Sequence, residues 1–453
     1  MFDTIAAIAT PPGIGGVGII RVSGPDVVSI MGQLFPARKA WQPRYVYYDR
    51  VVEPDTGVVL DEGCVVYFEA PQSYTGEDVL ELQLHASPQV MQSVLSVLLA
   101  LDVRLADPGE FTKRAVVNGK MDLTQAESVI ELIHSKSMYA QRVSLAHLRG
   151  SLFKRISLLR AGLMRYMEQI EGSIDFPDEV DAVDRIGMIA SIEKSVSDLS
   201  HLLRAQDFGK WIQGGVQCVI VGRPNVGKSS LLNALLGESR SIVTSIPGTT
   251  RDFIDAQILL GGVTFSFVDT AGVRSETTDV IELLGMRRIK ALIRSSDVVL
   301  WVVDGSVPLQ PDDYRILEQI KRKARLYVIV NKSDKRQRVD LSGLEFKKNT
   351  RMIAMSTKKQ HGLGELKEAL RHDFVERLER LDVSLMCNVR QVAALRLVRD
   401  QLKHLLAQYV LGAVDDALSI DLKGAILKLG EVTGDDVTEE VLDGIFSRFC
   451  VGK

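Results

Sequence analysis

Several broad protein classes are excluded by what this chain lacks. Its 453 residues hold four cysteines, Cys64, Cys218, Cys387 and Cys450, far apart and with no C-x-x-C pair. Neither a zinc site nor a redox dithiol is therefore encoded, and a reducing compartment is expected. The net charge is only −3 and no long Lys/Arg run occurs. A large nonspecific grip on nucleic acid is thus absent, and any RNA contact should be local or shared with a partner. No uninterrupted apolar stretch reaches spanning length, so a soluble chain without membrane contact is expected. Met1-Phe2-Asp3-Thr4 carries an acid, no Lys or Arg precedes Arg21, and Pro11-Pro12-Gly13 interrupts the apolar run, which does not read as a signal peptide. Nothing suggests disorder. An apolar content of 46% is ample for packed cores, and the length leaves room for about three domains.

What is present centres on residues 222 to 229, Gly-Arg-Pro-Asn-Val-Gly-Lys-Ser, a G-x-x-x-x-G-K-[ST] phosphate loop. It stands between a β-branched run, Val216 to Val221, and a segment from Ser230 with Leu231, Leu232, Leu235 and Leu236 on one helical side. Gly222 and Gly227 let consecutive N–H groups turn inward to phosphate oxygens, and the helix N-terminus adds partial positive charge. Lys228 can reach the β- and γ-phosphates and the Ser229 hydroxyl can ligate Mg²⁺. Downstream, the strand-like Phe265 to Val268 ends in Asp269-Thr270-Ala271-Gly272, a carboxylate approaching the metal followed by a Gly whose N–H can meet the γ-phosphate. Between them Gly248-Thr249-Thr250-Arg251-Asp252 is a hydroxyl-bearing segment able to close as a switch. Leu326 to Val330 leads into Asn331-Lys332-Ser333-Asp334, where a carboxylate accepts from both donors on the guanine edge, so the nucleotide is GTP. Ser356-Thr357-Lys358 follows the strand-like Met352 to Met355 and suits a loop that supports the guanine O6.

The organisation around these motifs is an α/β and α multidomain chain. Residues 1–118 alternate strand-like runs (Ile19 to Val22, Val65 to Phe68, Val79 to Leu84) with a helix over Val90 to Leu101, a compact α+β domain. Gly13-Ile14-Gly15-Gly16-Val17-Gly18 matches a dinucleotide fingerprint, but a strand continues after it and Ser23-Gly24-Pro25 breaks any helix, so a glycine-rich turn between strands is expected instead. Residues 119–213 take helical periodicity, as in Ala126 to Leu148 and Leu152 to Ile170, with a break at Ser173 to Pro177. Residues 214–375 form a Ras-like P-loop G domain with a parallel-rich sheet and helices on both faces. Residues 376–453 are helical again (Gln391 to Val410, Leu422 to Val432, Val437 to Phe449), so the G domain reads as an insertion into one discontinuous all-α domain, suited to transmit nucleotide state. Cys450-Val451-Gly452-Lys453 formally imitates a prenylation box, although Gly and the terminal Lys fit it poorly.

Thr10-Pro11-Pro12-Gly13 with Gly15 to Gly18, Thr75-Gly76-Glu77-Asp78-Val79-Leu80-Glu81, Pro108-Gly109-Glu110-Phe111-Thr112, Ile174-Asp175-Phe176-Pro177, the G motifs and Phe449-Cys450-Val451-Gly452-Lys453 together resemble the tRNA-modification GTPases of the MnmE (TrmE) family over essentially the whole chain. The resemblance implies a cytoplasmic homodimer that joins an FAD-containing partner subunit in a heterotetramer. It further implies installation of a carboxymethylaminomethyl or aminomethyl group at C5 of the wobble uridine of certain tRNAs. The one-carbon unit would come from a tetrahydrofolate (5-formyl- or 5,10-methylene-) on the N-terminal, folate-binding-like and dimerising domain.

Carried over by position, the family's folate contacts fall on Arg21, Glu81, Lys120 and Lys453, where cations can meet carboxylates and an acid can accept from pterin N–H groups. Its nucleotide contacts fall on Asn225, Val226, Gly227, Lys228, Ser229 and Ser230, on Thr244, Ser245, Ile246, Pro247, Gly248, Thr249 and Thr250, on Asp269, Thr270, Ala271 and Gly272, on Asn331, Lys332, Ser333 and Asp334, and on Ser356, Thr357 and Lys358. Mg²⁺ falls to Ser229 and Thr250, and K⁺ to Asn225, Thr244, Ile246 and Thr249, an all-oxygen cage suited to a hard ion. Val273 stands where Ras-like enzymes carry a water-orienting Gln, and an aliphatic side chain cannot do that work. K⁺ beside the phosphates and the family's distant acid, here Glu282, would supply it, with Lys228 and Asp269 completing the catalytic set; Arg251 and Arg274 otherwise read as surface cations. Hydrolysis would then be K⁺-dependent and coupled to pairing of two G domains. Cys450 is either a nucleophile or general acid toward uracil or the folate adduct, or a buried small apolar residue. A different class, a ribosome-assembly or RNA-remodelling GTPase like Era and Der, would need a KH-type loop, a second G domain or a basic tail, none of which is visible in the sequence.

Overall fold

The computed structural model describes residues 3–135, 137–175, 184–204, 206–238, 255–269, 290–320, 325–348, 350–379, 382, 385–411 and 415–453. The chain divides into two compact units: residues 1–133, 145–200 and 393–453 in one, residues 134–144 and 201–392 in the other.

In the first unit, β1 (Ile5–Ile8), β2 (Gly15–Ser23), β3 (Val46–Val52), β4 (Val59–Phe68), β5 (Val79–Ala86) and β6 (Arg104–Leu105) form one sheet in the order β3-β4-β5-β2-β1-β6. Neighbours are antiparallel except β1 and β6. Strand alternation sorts the side chains between faces. Ile20 and Val22 of β2 and Leu80, Leu82 and Leu84 of β5 are buried on one side. The helices Val27–Leu34 and Pro88–Ala100 cover that side with Ile30, Met31, Leu34, Met91, Val94 and Leu98. Each such side chain contributes roughly 1.5–3 kcal/mol on leaving water. The intervening residues, Arg21 and Glu81, are thereby turned to the opposite face, and the register sets them directly across from each other.

All but Gly13 of the glycines expected to form a turn differ from that expectation. Gly15 to Gly18 open strand β2, with Gly15 opposite Ala86, Gly18 opposite Leu84 and a bulge between them. A Cβ on Gly18 would stand 2.7 Å from Met91 Sδ. The absent side chain thus leaves the space that the end of Met91 occupies between β2 and its covering helix.

The rest of this unit is helical. Leu152, Ile156, Leu159, Leu163, Met167 and Ile170 are buried at spacings of three and four along the helix Ser151–Asp175. Leu418, Leu422, Ala425, Leu429 and Val432 do the same on Asp415–Thr433, and the two helices pack along each other. The segment expected over Ala126 to Leu148 is two helices, Leu123–Ile133 and Met138–Leu148. Ser137 begins the second, whose residues 138–144 belong to the other unit: the serine hydroxyl accepts from the Ala140 N–H at 3.1 Å as an N-cap, after the polar run His134 to Ser137.

In the second unit, β7 (Val216–Val221), β8 (Asp255–Leu260), β9 (Val263–Asp269), β10 (Val298–Asp304), β11 (Leu326–Asn331) and β12 (Arg351–Ala354) form a sheet in the order β12-β11-β10-β7-β9-β8. It is parallel except for the β8–β9 pair. Both faces are covered, which is why β7, β10 and β11 read as near-continuous apolar runs. On one face Cys218, Ile220, Phe265, Leu300 and Ile329 pack with Leu231 and Leu235 of the helix Lys228–Glu238 and with Leu366, Leu370 and Phe374 of Leu363–Glu379. On the other, Val219, Val221, Val299, Trp301 and Val328 pack with Leu317 and Ile320 of the helix Pro311–Ile320. A sheet sealed on both faces offers polar ligands its strand ends.

Candidate functional site

The loop between β7 and the helix Lys228–Glu238 is shaped by three residues of positive φ, Gly222 at 155°, Asn225 at 64° and Gly227 at 107°. A Cβ on Gly222 would lie 2.4 Å from the Val302 carbonyl oxygen, and one on Gly227 would lie 2.1 Å from Asn331 Nδ2. Asn tolerates the left-handed region better than most residues, which suits position 225. Lys228, at the start of the helix and 8% exposed, donates from Nζ to the carbonyl oxygens of Gly222 at 3.0 Å and Arg223 at 2.9 Å. Its ammonium is thus held at the rim of the loop. Ser229 and Ser230 follow in the first turn and are exposed.

The base-selecting motif is bonded to that loop. Asn331, at the end of β11, donates from Nδ2 to the Val226 carbonyl at 2.8 Å and accepts on Oδ1 from the Thr357 N–H at 3.1 Å. Lys332, in the left-handed region at φ 63°, donates from Nζ to the Asn225 carbonyl at 3.0 Å and to Asp304 Oδ2 at 2.5 Å. Burial pushes the Asp304 carboxyl up, but the bonds from Lys332 and Ser306 outweigh it and hold the group below its ordinary range. The Ser333 N–H donates to the Met355 carbonyl at 2.9 Å. Asp334 is exposed and accepts from Ser356 Oγ at 2.7 Å. That hydrogen bond, above all, lowers its carboxyl below the usual value, so it stands as an oriented anion. Lys358 is exposed.

Sequence motifs separated by about a hundred residues therefore meet at the carboxyl ends of β7, β10, β11 and β12. Asp269 closes β9 as the register partner of Ile220, one strand over from the loop. Asp304 and the Arg223–Asp313 pair, with Arg223 Nε 2.6 Å from Asp313 Oδ2, were not singled out from the sequence. The available signal for Asp304 was its position at the end of the apolar run Val298–Asp304. Thr244, Ser245, Ile246, Pro247, Gly248, Thr249, Thr250, Arg251, Thr270, Ala271, Gly272, Val273, Arg274 and Glu282 lie outside the described residues.

A second charged cluster occupies the other unit. Arg21 donates from Nε to Glu81 Oε1 at 2.9 Å, with Nη2 2.8 Å from the same oxygen, and from Nη1 to the Gly452 carbonyl at 3.3 Å. Its guanidinium carbon lies 5.4 Å from the Tyr74 ring centroid and 5.6 Å from that of Phe111. Lys453 joins them: burial first, then the Arg21 charge, lower its ammonium below the ordinary lysine value, with Glu81 opposing. Two cations thus stand near one carboxylate, with Arg21 alone hydrogen-bonded to it. Lys120 is exposed and donates to the Pro71 carbonyl at 2.9 Å, beside the loop that carries Tyr74, and is not bonded to the other three. Cys450 is exposed, so the buried apolar role does not hold for it. Among the described residues no three His, Cys, Asp or Glu side chains gather as a metal site, and no helix is long and apolar enough to cross a membrane.

The chain is similar to known proteins along its whole length. The family model described as the GTP-binding protein TrmE N-terminus matches residues 4–120, and the MnmE helical domain model matches residues 123–450. The tRNA modification GTPase MnmE of Thermotoga petrophila is 42% identical over 100% of both chains, and that of Aquifex aeolicus is 40% identical over 100% of both. Among solved structures, the G domain of the T. maritima FeoB iron transporter aligns with 35% of this chain and 97% of its own, at 24% identity and a TM-score of 0.27, a likeness on which no argument rests. With two family models spanning nearly all of its residues, the chain belongs to the MnmE (TrmE) family of tRNA modification GTPases.

Proposed function

We propose that this GTPase works with an FAD-containing partner subunit to add a carboxymethylaminomethyl or aminomethyl group at C5 of the wobble uridine of certain tRNAs, as a homodimer within a heterotetramer in the cytoplasm. On this reading residues 1–118 bind a tetrahydrofolate and dimerise, residues 214–375 hydrolyse GTP, and the flanking helical segments 119–213 and 376–453 form one body that carries the nucleotide state. The observation that carries it beyond GTP hydrolysis is the convergence of Arg21, Glu81 and Lys453. Such a cluster of cations and an acid, with Arg21 lying against the Tyr74 and Phe111 rings, suits a flat heterocycle that bears carboxylates. Lys120 would reach the same ligand across the Pro71 loop. The exposed thiol of Cys450 stands beside Lys453 in sequence, and a nucleophile or acid toward the one-carbon adduct is its proposed role.

At the nucleotide site the residues present fit GTP: the cradle at Gly222 and Gly227 is one that any Cβ would fill, and Lys228 offers its ammonium at the loop's rim. The contacts proposed for the nucleotide are those of the loop (Asn225 to Ser230), the switch (Thr244 to Thr250), Asp269 to Gly272, Asn331 to Asp334 and Ser356 to Lys358. Asp334 would accept from the guanine edge. Bound Mg²⁺, on Ser229 and Thr250, and K⁺, on Asn225, Thr244, Ile246 and Thr249, would stabilise charge developing on the phosphates. Oxygen donors suit both ions. Glu282 would position the water that Val273 cannot, and Lys228 and Asp269 would hold the phosphates and the metal shell. Pairing of two G domains would order the switch.

The test is wobble-uridine modification reconstituted from this protein, the FAD partner, GTP, K⁺ and methylene-tetrahydrofolate, leaving out one component at a time. Each omission should abolish the C5-modified nucleoside, and product formed without folate would remove the assignment of Arg21, Glu81, Lys120 and Lys453. Equal GTP turnover in KCl and NaCl at matched ionic strength would remove the potassium site.

A further inference from the structure

The geometry points to Arg223 and Asp313 as a positioning pair that sets where Lys228 is held, and thereby the rate of GTP hydrolysis. Arg223 sits inside the phosphate loop, yet its side chain leaves the loop. Nε donates to Asp313 Oδ2 at 2.6 Å, and Asp313 is 1% exposed. That same oxygen accepts the Gln310 N–H at 3.0 Å, which closes the first turn of the helix Pro311–Ile320. The other oxygen, Oδ1, has no hydrogen-bond partner among the described residues. A buried carboxylate so sparsely bonded depends on its cation, and a charge-assisted bond of this length holds both partners to one geometry.

The main chain of Arg223 carries the consequence. Its carbonyl is one of the two that receive Lys228 Nζ, the other belonging to Gly222. Gly222 is packed so closely on the sheet that a Cβ there would meet the Val302 carbonyl oxygen at 2.4 Å and Val226. One of the two oxygens that hold the lysine thus belongs to a residue packed on the sheet, and the other to a residue whose side chain is ion-paired to the helix Pro311–Ile320. Loss of the pair frees Arg223 and lets its carbonyl and the ammonium drift. Displacements of an ångström at a reacting centre lower rates by up to about a hundredfold. Arg223 and Asp313 touch no nucleotide on this account; they act through Lys228. The inference rests on the proposed role of Lys228 as a phosphate ligand.

The experiment compares three variants of the full chain in steady-state GTP turnover and thermal unfolding. Arg223→Met keeps the stem and removes the donor. It should lower kcat by roughly ten- to a hundredfold, with KM changing by less, and lower the unfolding midpoint because Asp313 is left unpaired. Arg223→Met with Asp313→Leu replaces the pair by apolar groups and should restore the midpoint while kcat stays low. A merely structural pair would give the opposite: kcat within about threefold of the unsubstituted protein once stability is restored, and that result overturns the inference. So does full kcat in Arg223→Met alone. Lys228→Ala separates the underlying reading, since it should abolish turnover. Normal turnover in that variant would overturn the phosphate role of Lys228 and the pair's role with it, whereas loss there beside a fully active double variant would overturn the pair alone.

Discussion

The two sheets of this chain solve the placement of a polar site in opposite ways. The sheet of β1 to β6 has one apolar face covered by two helices, and its other face carries Arg21 and Glu81 as a cross-strand pair. Chemistry there is displayed by side chains standing on the sheet. The central strands β7, β10 and β11 of the other sheet are buried on both faces, so their middles present no charge to solvent. Their polar groups collect at strand ends, where Gly222, Asn331 and Asp304 follow or finish the apolar runs. A site on a face is specified by which side chains alternate; a site at strand ends is specified mostly by backbone conformation.

That contrast predicts where each site breaks. Gly227→Ala adds one methyl carbon at a residue with φ 107° and within 2.1 Å of Asn331 Nδ2. Catalytic efficiency toward GTP should fall by at least roughly a hundredfold, about 2.7 kcal/mol. Steady-state kinetics checks this, and a variant within tenfold of the parent would show that side chains, not backbone, hold the phosphates. On the open sheet face, Glu81→Gln keeps the shape and removes the only carboxylate bonded to Arg21 among the described residues. Affinity for 5-formyl-tetrahydrofolate should weaken by roughly tenfold, about 1.4 kcal/mol, read by calorimetric titration; unchanged affinity would take Glu81 out of the site. The smallest effect concerns stability at the edge of the closed sheet. Burial pushes Asp373 up, but bonds from Arg351 and Tyr327 outweigh it and bring its carboxyl to about 2, from 3.8. A lowered folded value means the stabilisation is complete above the unfolded value and is lost as pH falls through the folded one. Asp373→Asn should cost on the order of 1 kcal/mol at neutral pH, because solvent screens its pair with the part-exposed Arg351, and should flatten the loss of stability between about pH 4 and pH 2. Denaturant unfolding at several pH values checks it, and parallel acid limbs in both proteins would contradict the assignment.

The same contrast explains how far the sequence could be read. Four strands of the parallel sheet, β7, β9, β11 and β12, were legible because buried strands leave apolar runs and because the loop glycines, Asp269 and Asn331 to Asp334 sit at run ends, whereas β8 and the central β10, which carry none of those motifs, were not read. Boundaries moved by a residue or two, as with β11, which extends to Asn331. In the first unit, β3 was not read from sequence: it alternates half-exposed Tyr and charged residues and lies at the sheet edge, where one unpaired side weakens the apolar pattern. Of the glycines before Ile19, Gly13 does lie in the bend between β1 and β2, whereas Gly15 to Gly18 belong to β2, where Gly18 is packed by Met91 and a glycine carries the same signature as in a tight bend. Ser137 as a cap inside a helical period was invisible, since Ser is common on helix surfaces. Arg21 opposite Glu81 required strand register, which periodicity within each strand does not supply. Asp313 could not be linked to Arg223 across 90 positions by any local pattern.

Arg21 donates to the carbonyl of Gly452, 431 positions further along, and Gly452 itself is pressed so close to β1 that a Cβ would lie 2.6 Å from the Ile8 carbonyl oxygen. During synthesis at about 5–20 residues per second, the amino-terminal sheet therefore waits roughly half a minute on the ribosome before its last wall exists, while the entire GTP-hydrolysing unit emerges in between. A nascent chain can therefore meet GTP before the wall that Gly452 gives to Arg21 exists.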